Sequence, residues 1–124
     1  MTRANVSSLT QEHLLERFLS IALEQDQVET MDEPASRYNR LFQLMEEVES
    51  ELKSRPGDGR HALIEFFEHE NAHVRLKAAL ATLALVPDAA KETLRALSDR
   101  NIPPESMDAR SLLRALEKGR YVPT

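Results

Sequence analysis

The stretch HENAHVRLKAA, residues 69–79, decides how this sequence folds. Its first five residues match H-E-x-x-H, the pattern by which one helix of a zinc peptidase presents two histidine ligands and a glutamate base. That arrangement requires His69 and His73 to lie one turn apart on a single continuous helix. Whether a helix runs through this stretch or breaks inside it therefore separates two folds and two functions.

The apolar spacing around the motif predicts a break. The apolar residues between 63 and 67 define the buried face of the preceding helix. One heptad later, an uninterrupted helix would turn Glu70, His73 and Val74 towards the core, and two of these three residues are polar. A new helix that begins at Asn71 removes this conflict, because asparagine is a favoured N-cap residue. We therefore expect His69 and His73 to lie on different helices.

A zinc-dependent hydrolase is the enzymatic alternative. In that interpretation His69 and His73 bind the metal, Glu70 activates a water molecule, and Glu92 is available as a third ligand. The pattern fixes only three positions, and a chain with four histidines can match it by chance. The chain has no cysteine, which excludes thiolate metal cages and disulfides. We expect no catalytic residue, no metal and no cofactor.

The rest of the chain predicts an all-α protein with about six helices in three antiparallel pairs. Helix-forming residues dominate, and turn-forming residues interrupt them at intervals. The second helix, for example, carries an apolar residue every three or four positions, and its glutamates mostly cover the solvated face. Its predicted core stripe is Tyr38, Leu41, Phe42, Met45, Val48 and Leu52.

Turn chemistry predicts where the helices begin and end. Asp58 stands between two glycines, and it is expected to cap the third helix as Asn71 caps the fourth. Asp32 is a predicted cap for the second helix, with Pro34 in its first turn. Gly119 is the predicted stop of the last helix. The expected starts of the helices are Thr10, Pro34, Asp58, Asn71, Pro87 and Glu105.

Read as a turn between helices, residues 62–97 resemble a HEAT repeat. The features that carry the resemblance are a polar turn at 69–73, then Val74 and Arg75, then the paired alanines Ala78 and Ala79. The resemblance implies an α-α superhelix in which the small alanines let helices approach closely. It also implies that Arg75 bonds to a neighbouring turn and belongs to the framework.

Three segments taken together resemble a bacterial family of domains of unknown function with a HEAT-type superhelix. They are NRLF at 39–42, ELKSRPGD at 51–58 and HENAHVRLKAA at 69–79, and the tail GRYVPT at 119–124 fits as well. The resemblance covers most of the chain. It implies the fold but no enzymatic activity, so it transfers no catalytic residues.

Length and composition predict one domain over residues 1–124, with a flexible N-terminus at 1–9 and a C-terminal tail at 119–124. The N-terminus lacks the apolar core of a signal peptide. No apolar run approaches the roughly 20 residues that cross a bilayer. We therefore expect a cytoplasmic protein that does not bind membranes.

The charge of the chain is unevenly distributed. Residues 1–54 hold 11 acidic and 5 basic residues, a net charge of −6, whereas residues 55–124 hold 10 acidic and 11 basic residues, a net charge of +1. Nucleic-acid binding needs an excess of lysine and arginine facing phosphates. The acidic first half therefore argues against a nucleic-acid partner.

The sequence thus favours a non-catalytic protein–protein interaction module. Helical solenoids present a concave groove lined by the second helix of each pair, here the helices expected to begin near Pro34, Asn71 and Glu105. The polar residues expected to contact a protein partner from these helices are Arg37, Arg40, Arg75, Lys77 and Arg114.

A second interaction role is an immunity or antitoxin-like protein that neutralises a partner enzyme. The carboxylates between Glu46 and Glu51 could meet a basic toxin surface, because complementary charge steers such pairs together. Taken alone, these carboxylates are typical of a solvated helix face.

Overall fold

The computed structural model describes residues 6–30 and 34–124, with the side chains of residues 29 and 30 excepted, and this part of the chain is all-α. No β-strand occurs among these residues, which confirms the predicted fold class. The helices are α1 (Gln11–Thr30), α2 (Ala35–Ser54), a 3-10 helix (Gly59–Glu68), α3 (Ala72–Thr82), α4 (Pro87–Arg100) and α5 (Glu105–Glu117). None of the helices in the described ranges is long and apolar enough to span a membrane.

The chain divides into two compact units, Met1–Ala62 and Leu63–Thr124. The single domain expected over residues 1–124 stays a prediction, as does the flexible N-terminus at 1–9. Within the described part of the first unit, α1 packs against α2. Within the second unit, α4 packs against both α3 and α5.

The helices of the first unit begin and end close to the predicted positions. The Thr10 hydroxyl accepts a hydrogen bond from the His13 amide at 3.1 Å, so Thr10 is the N-cap of α1. The sequence predicts Pro34 in the first turn of α2, but Pro34 directly precedes this helix. The predicted cap Asp32 lies outside the described residues. The α1 and α2 residues in the core are Leu14, Phe18, Ile21, Ala22, Val28, Leu41, Met45, Val48 and Leu52.

The prediction that Phe42 belongs to the core stripe of α2 is wrong. Its side chain is 44% exposed, whereas Leu41 and Met45 are buried. The reason is helical geometry: successive residues are rotated by roughly 100°, so Phe42 cannot share the inward direction of Leu41. An aromatic side chain is therefore presented to solvent on an otherwise amphipathic helix.

The element that carries Phe66 and Phe67 is a 3-10 helix and not the α-helix that the sequence predicts. It opens with a hydrogen bond from the His61 amide to the Asp58 carbonyl, 3.3 Å long and three residues apart, which is the 3-10 spacing. α3 ends at Thr82, and α4 continues to Arg100, which leaves residues 101–104 between α4 and α5.

The second unit has its own apolar core around α4. Its buried members are Leu76, Ala79, Leu83, Ala90, Leu94, Leu97 and Ala109. Leu112, Leu113 and Leu116 of α5 are partly buried and pack against it. Gly119 ends this helix in the left-handed conformation, with φ of 70°, and the Arg120 amide returns to the Ala115 carbonyl at 2.9 Å.

Candidate functional site

The turn at residues 69–73 separates two helical elements. The 3-10 helix ends at Glu68 and α3 begins at Ala72. Asn71 has extended backbone angles, and its side-chain Oδ1 accepts a hydrogen bond from the Val74 amide at 3.0 Å. Asn71 is thus the N-cap residue of α3, which is the role that its position in the sequence predicts.

His69 and His73 consequently do not share a helix face. The Asn71 amide donates to Nδ1 of His69 at 3.0 Å, and the Phe66 ring meets the His69 ring edge-on at a centroid distance of 6.3 Å. His73 is 3% exposed within α3. The continuous helix that His69, Glu70 and His73 need for a zinc site is therefore not formed.

Glu92, the proposed third ligand, lies on α4. Nowhere in residues 6–28 and 34–124 do three or more His, Asp or Glu side chains form a group that could hold a metal ion. The sequence motif is present, but the chain does not bring its side chains together as metal ligands.

Arg75 braces the turn from the first helical turns of α3. Its Nη1 donates to the His69 carbonyl oxygen at 2.9 Å, across six residues. Burial lowers the pKa of Arg75, the neighbouring Arg100 lowers it further, and Glu105 opposes the shift. The bond to the carbonyl shows the framework role that the HEAT resemblance implies for this residue.

An open cleft of about 350 Å³ lies beside Arg75 in the second unit. Small side chains of α4 and the Phe67 ring provide its apolar surface, and Glu68 and Glu92 add two exposed carboxylates. Its full lining is Phe67, Glu68, Arg75, Ala89, Glu92, Thr93 and Ala96. The cleft thus combines an apolar surface with the charges of Arg75, Glu68 and Glu92.

Three of the five predicted partner-binding residues are exposed, namely Arg37, Arg40 and Arg114. The Arg37 guanidinium lies 4.0 Å from the Glu24 carboxylate, and both side chains are about half exposed. Arg37 and Glu24 therefore connect α2 to α1 only weakly.

The prediction that Lys77 projects from a binding groove is wrong, because its exposed fraction is only 8%. Every residue of α3 is buried or partly buried, and Arg75 is the residue of this helix that lines the open cleft. The exposed predicted residues are therefore confined to α2 and α5.

Comparison with known proteins identifies the family. The model of the Domain of unknown function (DUF2019) matches residues 12–117. The chain belongs to the DUF2019 family. The expected family of domains of unknown function is thereby confirmed, whereas the HEAT-type arrangement remains a prediction. No curated protein matches the chain.

A solved structure supports the fold of this DUF2019 chain. The crystal structure of the protein RPA1889 from the bacterium Rhodopseudomonas palustris CGA009 matches with a TM-score of 0.92 and 39% sequence identity. The match covers 96% of the DUF2019 chain and 98% of RPA1889.

Two further arginines hold turns of the DUF2019 chain, and neither was predicted from the sequence. Arg55 donates to the Leu9 carbonyl at 2.6 Å and to Glu51 at 2.8 Å. The spacing of Glu51 and Arg55, four residues apart, is a signal that could have found this pair. Arg110 donates to the Ser98 carbonyl and to the Asn101 side chain, both at 2.9 Å, and no local spacing indicates these contacts.

Replacement of Asn71 by alanine should lower the free energy of unfolding by about 1 kcal/mol. Alanine removes the acceptor for the Val74 amide, but the amide of residue 71 can still donate its hydrogen bond to Nδ1 of His69. Chemical denaturation measures the loss. The matched control is Asn71→Asp, which keeps a capping oxygen and should stay within about 0.5 kcal/mol of the parent chain. An equal loss in both variants would contradict the capping role.

Asp58 forms a second cap whose strength should depend on pH. Its backbone is left-handed, with φ of 63°, and Oδ1 accepts from the Arg60 amide at 3.1 Å. The Arg60 side chain donates to both carboxylate oxygens, at 2.9 and 2.7 Å. These side-chain hydrogen bonds are the main cause that lowers the pKa of Asp58 below its ordinary value of 3.8.

We expect Asp58→Asn to destabilise the chain by about 1 kcal/mol at neutral pH and by less in acid. The folded pKa of Asp58 is lower than the unfolded one, so the unfolded chain binds the proton more readily. The stabilisation is present above about pH 4 and is lost as pH falls through the folded pKa. Asparagine tolerates the left-handed backbone, which isolates the effect of charge. Thermal unfolding between about pH 3 and 7 tests this, and a difference independent of pH would contradict it.

Proposed function

We propose that this DUF2019 chain is a non-catalytic protein–protein interaction module of HEAT-repeat type. The observation that carries the proposal is the exposure of Arg40 and Phe42, two residues of α2 that lie on either side of its buried face. Arginine and aromatic residues are enriched at protein interfaces and among the residues that contribute most to binding.

The position of this pair suits an interface anchor. The buried residues Leu41, Met45, Val48 and Leu52 fix one face of α2. Arg40 and Phe42 therefore project from an ordered helix, on either side of that face. The Arg40 side chain makes no hydrogen bond or ion pair with the described residues, and its guanidinium is available to a carboxylate. Burial of the exposed part of Phe42 against a partner would add a hydrophobic contribution.

The HEAT-type architecture is supported by local features of both units. Ala78 and Ala79 are fully buried, as expected where helices approach closely, and Arg75 bonds to its neighbouring turn. Only four residues separate α1 from the packed helix α2, and four separate α4 from the packed helix α5. The 3-10 helix and the low exposure of α3 depart from a regular repeat. The interaction helices in our proposal are therefore α2 and α5, without α3.

Capture from a native lysate of the source cells tests the proposal. The immobilised chain should retain protein partners that an Arg40→Glu, Phe42→Ser variant loses. Lys53→Glu is the control, because it reverses a charge at another exposed position of α2. Circular dichroism verifies that each variant is folded. Identical protein profiles from the parent chain and the double variant would refute the α2 interface.

The immunity or antitoxin-like role is the second candidate. Glu46 is exposed on α2 and its side chain makes no hydrogen bond or ion pair with the described residues, so its charge is available to a basic partner. In the same capture experiment, one stoichiometric basic protein that is lost with Glu46→Lys would favour neutralisation. Several weakly bound proteins would favour a scaffold.

The zinc-dependent hydrolase is the enzymatic alternative, and metal analysis addresses it directly. The separation of His69 from His73 by the turn at Asn71 argues against it. Protein purified without a histidine tag should contain far less than one zinc per chain. Near-stoichiometric zinc that disappears with His69→Ala and with His73→Ala would restore the alternative.

A further inference from the structure

One exposed face of α5 combines an apolar residue with positive charge. At roughly 100° per residue, Met107, Arg110, Ser111 and Arg114 of α5 and its C-cap residue Lys118 fall within an arc of about 100° around the helix axis. All five are exposed, and Met107 is 60% exposed. We call these five residues the α5 basic face.

The positive charges of the α5 basic face are not compensated within the described residues. The side chains of Arg114 and Lys118 make no hydrogen bond or ion pair there. Arg110 is engaged, but its acceptors are the neutral oxygens of Ser98 and Asn101. Its charge therefore remains available. The three charges are spaced one helical turn apart and extend over about 12 Å.

We propose that the α5 basic face docks an acidic amphipathic segment of a protein partner. Glutamates spaced one turn apart on such a segment would match the spacing of Arg110, Arg114 and Lys118. Met107 would contact an apolar residue at one end. This inference rests on the proposed function, since it names the chemistry of a partner for the interaction module.

The charge balance favours an acidic polypeptide over a nucleic acid. The chain as a whole carries a net charge of −5, which repels an extended phosphate backbone. A segment with a few carboxylates needs only a local positive field, because charge interactions at physiological salt decay over about 8 Å. The exposed Met107 adds a contact that suits an amphipathic helix.

A labelled synthetic peptide tests the inference with the full chain. The probe is an amphipathic helix of about 20 residues with leucines on one side and glutamates at every fourth position. We expect saturable binding in fluorescence anisotropy that weakens as salt rises from about 50 to 500 mM. The variant Arg114→Glu, Lys118→Glu should bind at least about 10-fold more weakly, because reversal replaces attraction by repulsion.

The controls separate a specific face from general electrostatics. Lys53→Glu makes a single charge reversal on α2 and should leave the affinity within about 2-fold. If the double reversal does not fold, Arg114→Gln, Lys118→Gln replaces it and should still reduce binding. The inference is overturned if a glutamine-substituted peptide binds equally, if Lys53→Glu weakens binding as much, or if single-stranded DNA competes better than the peptide.

Two further outcomes also overturn it. One is a change in thermal stability without a change in peptide affinity, which would show that the basic residues only complement the C-terminal end of the α5 dipole. The other is no binding of the peptide at all. Partner capture through Arg40 and Phe42 would stand in either case, so the two proposals fail separately.

Discussion

Replacement of Leu94 by alanine is expected to lower the free energy of unfolding by about 3 kcal/mol. Leu94 is fully buried on α4, and this helix packs against both α3 and α5. Collapse of the resulting cavity would require α3 or α5 to move towards α4, where Leu97 and Ala109 are already closely packed. The cavity should therefore persist, and its cost adds to the lost transfer free energy.

Urea denaturation followed by circular dichroism measures this loss. Leu23→Ala is the matched control, because it removes the same atoms from a side chain that is 37% exposed on α1. It should cost less than about 1 kcal/mol. Leu94→Met keeps most of the volume and should cost less than about 1.5 kcal/mol. Equal losses for the Leu94 and Leu23 alanine variants would show that α4 is not the centre of this core.

Replacement of Gly59 by alanine is expected to cost about 2 kcal/mol. An added Cβ would lie 2.8 Å from the Leu52 carbonyl oxygen and 2.9 Å from Oε1 of Gln11. The Leu52 oxygen is a backbone atom of α2 that accepts the Arg55 amide at 3.1 Å, and the Leu52 side chain is fully buried. The Gln11 side chain also donates to the Gly59 carbonyl at 2.8 Å. Neither neighbour can withdraw without losing a hydrogen bond.

Thermal or urea unfolding of two companion variants identifies which contact destabilises the Gly59→Ala chain. Gly57→Asn is the control, because no atom lies within 4 Å of an added Cβ there and asparagine tolerates its φ of +72°. It should cost much less than Gly59→Ala. Adding Gln11→Ala to Gly59→Ala removes only the side-chain clash, so most of the penalty should persist. Full recovery in that double variant would contradict the backbone clash with Leu52.

Local sequence patterns were sufficient for features whose causes are local. The break at Asn71 follows from the polar residues that a continuous helix would have buried, and Asn71 supplies its own capping oxygen. Thr10 caps α1 for the same reason. Gly119 ends α5 because glycine adopts its φ of 70° without strain. Each of these outcomes depends on residues within one or two helical turns.

The candidate interaction surface was predicted less accurately, because exposure depends on packing between helices. Arg40 and Arg114 are exposed as expected, but Lys77 is buried, and the other residues of α3 are buried or partly buried. The error for Phe42 is the reverse. Its apolar side chain was predicted to be in the core, but its direction on α2 leaves it 44% exposed. Hydrophobicity and spacing indicate a preferred face, whereas the neighbouring helices determine how much of each face is covered.

The sequence alone determined the helical class and the break that separates His69 from His73, because helix propensity, apolar period and capping act over a few residues. Tertiary structure alone decided that Arg110 reaches Ser98, that every residue of α3 is at least partly buried, and that the apolar stretch around Phe66 is a 3-10 helix. These three features depend on which residues, distant in the sequence, contact one another and on how much surface those contacts bury. That information lies in no short window of the chain.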